Sequence, residues 1–203
     1  MLCSSTDGQT RRICEQLRAQ MQEAGDAVTL TMIEDARDAS PAGFDMAVVG
    51  ARIRYGRTDK RVVAWAERHA AQLNAMPSAF FSVNVVARKA GKDRADTNPY
   101  VQKFLRHAGW RPRMLEVFAG KLDYPRYDPL DRAIIRFIMW VTGGPTDPKT
   151  VVEFTDWARV RAFGKALCDA PQGRAGSSSY SDSGTISIAP QGHSETQTPQ
   201  PLQ

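Results

Sequence analysis

The chain is poor in the residues that usually announce chemistry. Its 203 residues include only three cysteines and three histidines. Cys3, Cys14 and Cys168 have no CxxC spacing and are odd in number, which argues against a disulfide scaffold or a zinc site and fits a reducing compartment. No metal is expected. His69 and His107 fall in helical patterns and His193 near the end, and no HExxH run or Ser/His/Asp arrangement accompanies them. A GxGxxG turn and a Walker lysine loop are both missing, so a dinucleotide crossing is not indicated. No apolar run approaches the roughly 20 residues that span a bilayer. No basic start leads into an apolar stretch, as a secretory signal would require. Without a recognisable reading helix or aromatic platform, nucleic acid is not expected as a partner.

What is present describes a globular domain with a polar extension. Hydrophobic residues make up 42% and charged residues 24%, which excludes a wholly disordered or fibrous chain. Residues 171–203 carry only Arg174, Asp182 and Glu195 as charges and are crowded with Ser, Gly, Pro, Gln and Thr. Such a segment buries too little apolar surface to offset its ordering entropy. One domain over 1–170 and a disordered low-complexity tail over 171–203 are therefore expected. The net charge of +5 is uneven: between Val85 and Trp140, twelve Lys and Arg face six Asp and Glu. An anionic partner is expected to meet the middle of the chain.

Strand and helix patterns alternate. Ala27–Met32, Met46–Ala51, Ala79–Asn84 and Met114–Ala119 read as strands. Ile13, Leu17 and Met21 recur at helical spacing, as do Val62, Ala66, His69 and Leu73, then Val101, Phe104, Leu105 and Ala108. A last helix runs through Trp157, Val160 and Leu167, with Thr155 as its expected cap. This order predicts an α/β fold with a doubly wound parallel sheet, whose ligands sit at the carboxyl ends of the strands.

The loops after the strands are therefore the candidate site. Ser4 to Thr10 is rich in hydroxyls, lacks lysine and opens the first helix, which suits a terminal monophosphate. The same residues also suit an ordinary helix cap with an Asp-Gly turn. Gly50 to Arg57 offers glycines for close approach, Tyr55 for stacking and arginines for anions, or it is a solvated basic turn. Ser82 and Asn84 end a strand and lead into a run holding Arg88, Lys89 and Lys92. Between Lys121 and Gly144, a short helix apolar nearly all round carries Arg132 and Arg136 on one stripe. It suits an interfacial helix with arginines toward anionic headgroups, and equally a buried core helix. Tyr124, Arg126 and Tyr127 precede it and could line a pocket.

Seven segments in order, STDGQT, GARIRYG, MPSAFFSVNVVARK, KFLRHAGWRP, YPRYDPLDR, FIMWVTGGPTD and FTDW, resemble the quinone-dependent protoporphyrinogen IX dehydrogenases of bacteria from Leu2 to Leu167. The resemblance implies a long-chain flavodoxin-like fold, sheet order 2-1-3-4-5, with a hydrophobic helical insert at about 121–144. It implies non-covalent FMN held by Ser5, Thr6, Asp7, Gly8, Gln9 and Thr10, with Arg54, Tyr55 and Gly56 on one side of the ring. Ser82, Val83, Asn84 and Val85 would approach from the other side. Arg88, Arg126, Tyr127, Arg132 and Arg136 are the candidates for substrate or membrane contact; no catalytic acid or base is identified. The implied partners are protoporphyrinogen IX, a membrane quinone (menaquinone or ubiquinone) and an anionic membrane surface. The implied location is cytoplasmic, peripheral on the inner face of the cell membrane. After Met1 only Leu2 and Cys3 precede the hydroxyl loop, fewer residues than the family carries there, so either a misassigned start or a truncated first strand is expected. A flavodoxin-type electron carrier and an NAD(P)H:quinone reductase are the alternatives on the same fold. The basic middle and apolar insert count against the carrier.

Overall fold

A computed structural model describes residues 1–36 and 38–170. The expected tail over 171–203 lies outside the described residues. The sheet grows from two apolar runs, β3 (Ala47–Arg54) and β5 (Ser78–Asn84). Every residue of β5 is buried, so both its faces need a cover, which helices on the two sides supply. β1 (Leu2–Ser4), β2 (Thr31–Met32) and β6 (Met114–Ala119) complete a parallel sheet of order β2-β1-β3-β5-β6. Here β4 (Arg57–Thr58) is a two-residue antiparallel flap on β3. Counting only the parallel strands, this is the expected 2-1-3-4-5.

Phe80 and Phe81 point to opposite faces, as the strand period demands. Phe81 packs with Phe118 and Phe163 beneath α1 (Gln9–Glu23) and α6 (Trp157–Asp169). Phe80 stacks on Phe104 at 4.3 Å between ring centres, in the core shared with α2 (Lys60–Arg68), α3 (Ala70–Ala75) and α4 (Pro99–Ala108). Gly50 is where β3 yields to Phe81: a Cβ there would stand 2.3 Å from the ring's Cζ.

Three local expectations are corrected. The strand expected over Ala27–Met32 shrinks to Thr31–Met32, because Leu2 is the first residue of β1 paired across to it. Before it, the Thr29 carbonyl accepts from the Met1 amino group outside the ladder, and a cleft lined by Met1, Leu2, Thr29 and Ala47 lies alongside. The helix expected through Val62 and Leu73 divides at His69, whose φ of −104° and ψ of 11° close α2 and open α3. The apolar stripe continues across this joint, so the spacing does not reveal it. Finally, Asp156 rather than Thr155 caps α6, accepting from the Ala158 and Arg159 amides. Thr155 instead donates to the Ala119 carbonyl at 2.7 Å.

Between β6 and α6 the chain leaves the sheet. β7 (Lys121–Asp123) and β8 (Val151–Glu153) form an antiparallel ribbon carrying α5 (Pro129–Val141). Leu122, Tyr124, Tyr127 and Met139 give this segment its own small core. The apolar helix thus falls within the expected 121–144, and the ribbon closes at Glu153.

Candidate functional site

A cleft holding about 970 Å³ of space, its open mouth included, lies at the carboxyl ends of β1, β3 and β5. Its floor is the expected hydroxyl loop: Ser5, Thr6, Asp7, Gln9 and Thr10 all line it. Gly8 does not; it precedes α1 in the left-handed conformation, φ 85°, which turns the loop into the helix. Asp59, Asn98 and Asp156 cap α2, α4 and α6 with their side chains, whereas α1 has no side-chain cap. Its opening amides and dipole thus face the cleft unclaimed, apart from the Arg11 amide, which donates to Ser5 Oγ at 3.4 Å.

Ser4, first among the loop's hydroxyls, is taken elsewhere. Its Oγ donates to Asp59 Oδ2 at 2.9 Å in a buried contact. Burial alone would raise the Asp59 carboxyl, but the Arg61 side chain and amide and the Ser4 hydroxyl outweigh it and hold the pKa at about 2. Gln9 is likewise committed: its Nε2 donates to Glu153 Oε1 at 2.9 Å and to Thr155 Oγ1 at 2.8 Å. Gln9 therefore ties the loop to the end of the insert.

One wall is the tip of β3 and its hairpin, with Arg52, Ile53, Arg54, Tyr55 and Gly56. Tyr55 and Gly56 have φ of 49° and 72°, the mirror-image turn that fits a two-residue hairpin. Arg54 and Tyr55 both donate to the Asp131 carboxylate across the cleft. The opposite wall is Val83, Asn84, Val85 and Val86, with Arg88 behind them. Ser82, expected here, is fully buried beneath the wall; it accepts from Asn84 Nδ2 at 3.2 Å. The Asn84 Oδ1 accepts from the Ala87 amide, so this side chain shapes the turn after β5 and leaves its backbone to the cleft.

The insert closes the third side with Lys121, Tyr127, Ile135, Ile138 and Met139. Burial pushes the Tyr127 phenol up, and the Asp7 and Asp123 carboxylates add to this, so it stays protonated. Arg126, Arg132 and Arg136 do not line the cleft. Arg132 donates to the Tyr124 and Tyr127 carbonyls, each at 3.1 Å, so its fork braces the insert rather than reaching a headgroup. Arg136 donates to the Thr146 carbonyl at 2.8 Å. Tyr124, offered as a pocket residue, is fully buried and donates to the Pro145 carbonyl.

Sequence reasoning missed Tyr100, Lys121 and the apolar side of α5, and ranked Arg52 below its neighbour Arg54. The signal for α5 was available. Ile135, Ile138 and Met139 share one side of the helix, while Leu130, Ile134, Phe137 and Val141 share another. The second group is exposed, and Trp140 joins it at 70%. Arg52 carries a further signal: its Nε is buried without a partner, one of two such side-chain atoms among the described residues. Its Nη2 lies 3.6 Å from Asp59. An orphaned donor beside an uncapped helix start wants an acceptor, and a phosphate monoester supplies one. The donor set therefore fits the phosphate of a mononucleotide.

No helix among the described residues is long and apolar enough to cross a membrane, and no group of metal-ligating side chains occurs among them. Residues 1–149 match the family model described as "Flavodoxin domain". Two curated relatives are similar over most of the chain, both named "Protoporphyrinogen IX dehydrogenase [quinone]". The Leishmania major protein is 42% identical over 172 residues, 84% of this chain and 74% of that protein. The Escherichia coli K12 protein is 41% identical over 167 residues, 82% of this chain and 92% of that protein. A solved structure of two-electron reduced Megasphaera elsdenii flavodoxin aligns with a TM-score of 0.43 at 16% identity, covering 58% of this chain and 85% of that one.

Proposed function

The chain belongs to the flavodoxin-domain family and, within it, to the protoporphyrinogen IX dehydrogenases, and from that premise we propose that it oxidises protoporphyrinogen IX to protoporphyrin IX through bound FMN and delivers the electrons to a membrane quinone. The observation that carries this reading is one cleft where three surfaces meet. It joins a hydroxyl loop at an uncapped helix start, a cationic rim, and an apolar wall from the insert.

Ser5, Thr6 and Thr10, the amides opening α1 and the orphaned Arg52 Nε would hold the phosphate. Tyr55 and Gly56 would flank the ring from one side and Val83 to Val85 from the other. The bound flavin supplies hydride acceptance and release, chemistry that no side chain here can provide. The residues orient and shield. Ile135, Ile138 and Met139 offer an apolar surface to the macrocycle, and Arg88 and Lys121 offer cations to its propionates. Arg88 is anchored to Thr142 by Nη2, 3.1 Å from Oγ1, so its charge is presented from a fixed place.

The quinone reading draws on the far side of α5. Leu130, Phe137, Trp140 and Val141 are 62–72% exposed, a contiguous apolar face that water does not favour. Such a face suits the inner surface of the cell membrane, where a lipid-dissolved oxidant resides. The exposed Arg126 and Arg136 are cations next to anionic headgroups in that pose.

The test is reconstitution with FMN, followed by protoporphyrinogen IX and a short-chain quinone. Porphyrin fluorescence should rise above the autoxidation blank and depend on quinone. FMN binding without that rise overturns the reading. Consumption of NAD(P)H under the same conditions would point to a reductase instead.

A further inference from the structure

The insert and the hairpin are joined at one carboxylate that neither motif explains. Asp131 sits in the first turn of α5, on the side of the helix that also carries Ile135 and Ile138. An acidic residue there ordinarily serves its own helix start. Its Oδ2 instead accepts from Arg54 Nη2 and its Oδ1 from Tyr55 Oη, across the mouth of the cleft. The pair is shielded: the Arg54 and Asp131 side chains are 25% and 23% exposed.

The hairpin needs such an anchor. Only two residue pairs, Ile53 with Thr58 and Arg54 with Arg57, hold β4 to β3. Its tip carries Tyr55 in the left-handed region, unfavourable for a residue with a side chain. The Arg54 guanidinium lies 5.4 Å from the centre of the Tyr55 ring, so each side chain buttresses the other. Asp131 therefore holds the two together, by a bond to each.

Resting on the flavin reading above, we propose that Asp131 is a positioning residue: it clamps Arg54 and Tyr55 beside the ring and cancels the Arg54 charge that the ring would otherwise meet. The consequence is electrostatic as well as mechanical. A reduced flavin takes on negative charge more readily than an oxidised one. An unopposed Arg54 would favour the reduced form, and an unopposed Asp131 would disfavour it. The insert thereby sets the driving force of the chemistry in the cleft.

Two charge-removing variants of the full chain, Asp131→Asn and Arg54→Gln, are titrated with FMN in both oxidation states. Asp131→Asn should raise the affinity ratio for reduced over oxidised FMN by about tenfold, and Arg54→Gln should lower it by a similar factor. Asp131→Glu should keep the wild-type ratio. Opposite signs are the signature, because simple loosening of the hairpin would move both variants the same way. Shifts of equal sign, or none, overturn the proposal and leave the flavin reading standing. Failure of the wild-type chain to bind FMN in either state overturns both.

Discussion

Phe81 and Trp110 have no exposed surface, whereas Phe137 and Trp140 are 62% and 70% exposed. The sheet domain and the insert thus treat the same residue types oppositely. In the sheet domain, helices on both faces leave no apolar side chain of β5 uncovered. In the insert, one helix serves two surfaces. Its Met139 side completes a small core and the cleft, and among the described residues its Phe137 side is left exposed, with Trp140 beside it. Phe44 shows that a single exposed ring is tolerated on the sheet side too, but a contiguous apolar face such as that of Leu130, Phe137, Trp140 and Val141 ordinarily marks an interaction surface. The contrast supports the proposal that α5 is a partition, with the cleft on one side and a membrane surface on the other.

The contrast can be broken most directly by deleting the same ring in the two places. Phe81→Ala should cost about 4 kcal/mol of stability in urea unfolding, and Phe137→Ala should cost close to nothing. A large loss for Phe137→Ala would mean that its face is covered after all. Next in size is binding to vesicles containing anionic lipid. Phe137→Asp with Trp140→Asp should weaken it about 100-fold without moving the unfolding midpoint. Unchanged vesicle binding would remove the membrane from the account.

Acid titration sharpens the comparison on the sheet side. Asp59 has a folded pKa of about 2 against an ordinary 3.8. A depressed carboxyl stabilises the fold above its unfolded pKa and loses that contribution as pH falls through the folded one. Between pH 4 and pH 2, the wild type should lose on the order of 2 kcal/mol through this group. Asp59→Asn should start lower at pH 7 and show a flatter acid limb. The smallest expected effect is at Arg52. Arg52→Gln should weaken FMN binding about tenfold and leave riboflavin binding unchanged, read by quenching of flavin fluorescence. Equal losses for the two ligands would place Arg52 away from the phosphate.

Much of the sheet was legible locally. Ile13, Leu17 and Met21 all became buried residues of α1. The run expected as Met46–Ala51 became β3, which extends to Arg54 because β4 folds back to pair with Ile53 and Arg54. Ala27–Leu30 failed as a strand although its composition is right, because a strand needs a partner and β1 pairs no residue before Leu2. The cleft was legible through one topological rule, that the loops after parallel strands converge. Its chemistry was less so. Ser82, Gln9 and Arg132 have the residue types a ligand would want, yet each spends its polar groups on the protein itself. Arg52 and Arg54 look alike in sequence. Only the packing leaves one with an orphaned donor and gives the other to Asp131.

By itself the sequence determined the long parallel strands, the main helices, their order and the hydroxyl loop, because strand and helix periods and turn chemistry act over a few neighbouring residues. The tertiary structure alone decided which side of α5 faces the cleft, which hydroxyls remain free, and that Asp131 meets Arg54 and Gln9 meets Glu153. Those pairings join residues far apart in the chain, and their energy comes from burial and geometry that exist only once the sheet and the insert have closed around the cleft.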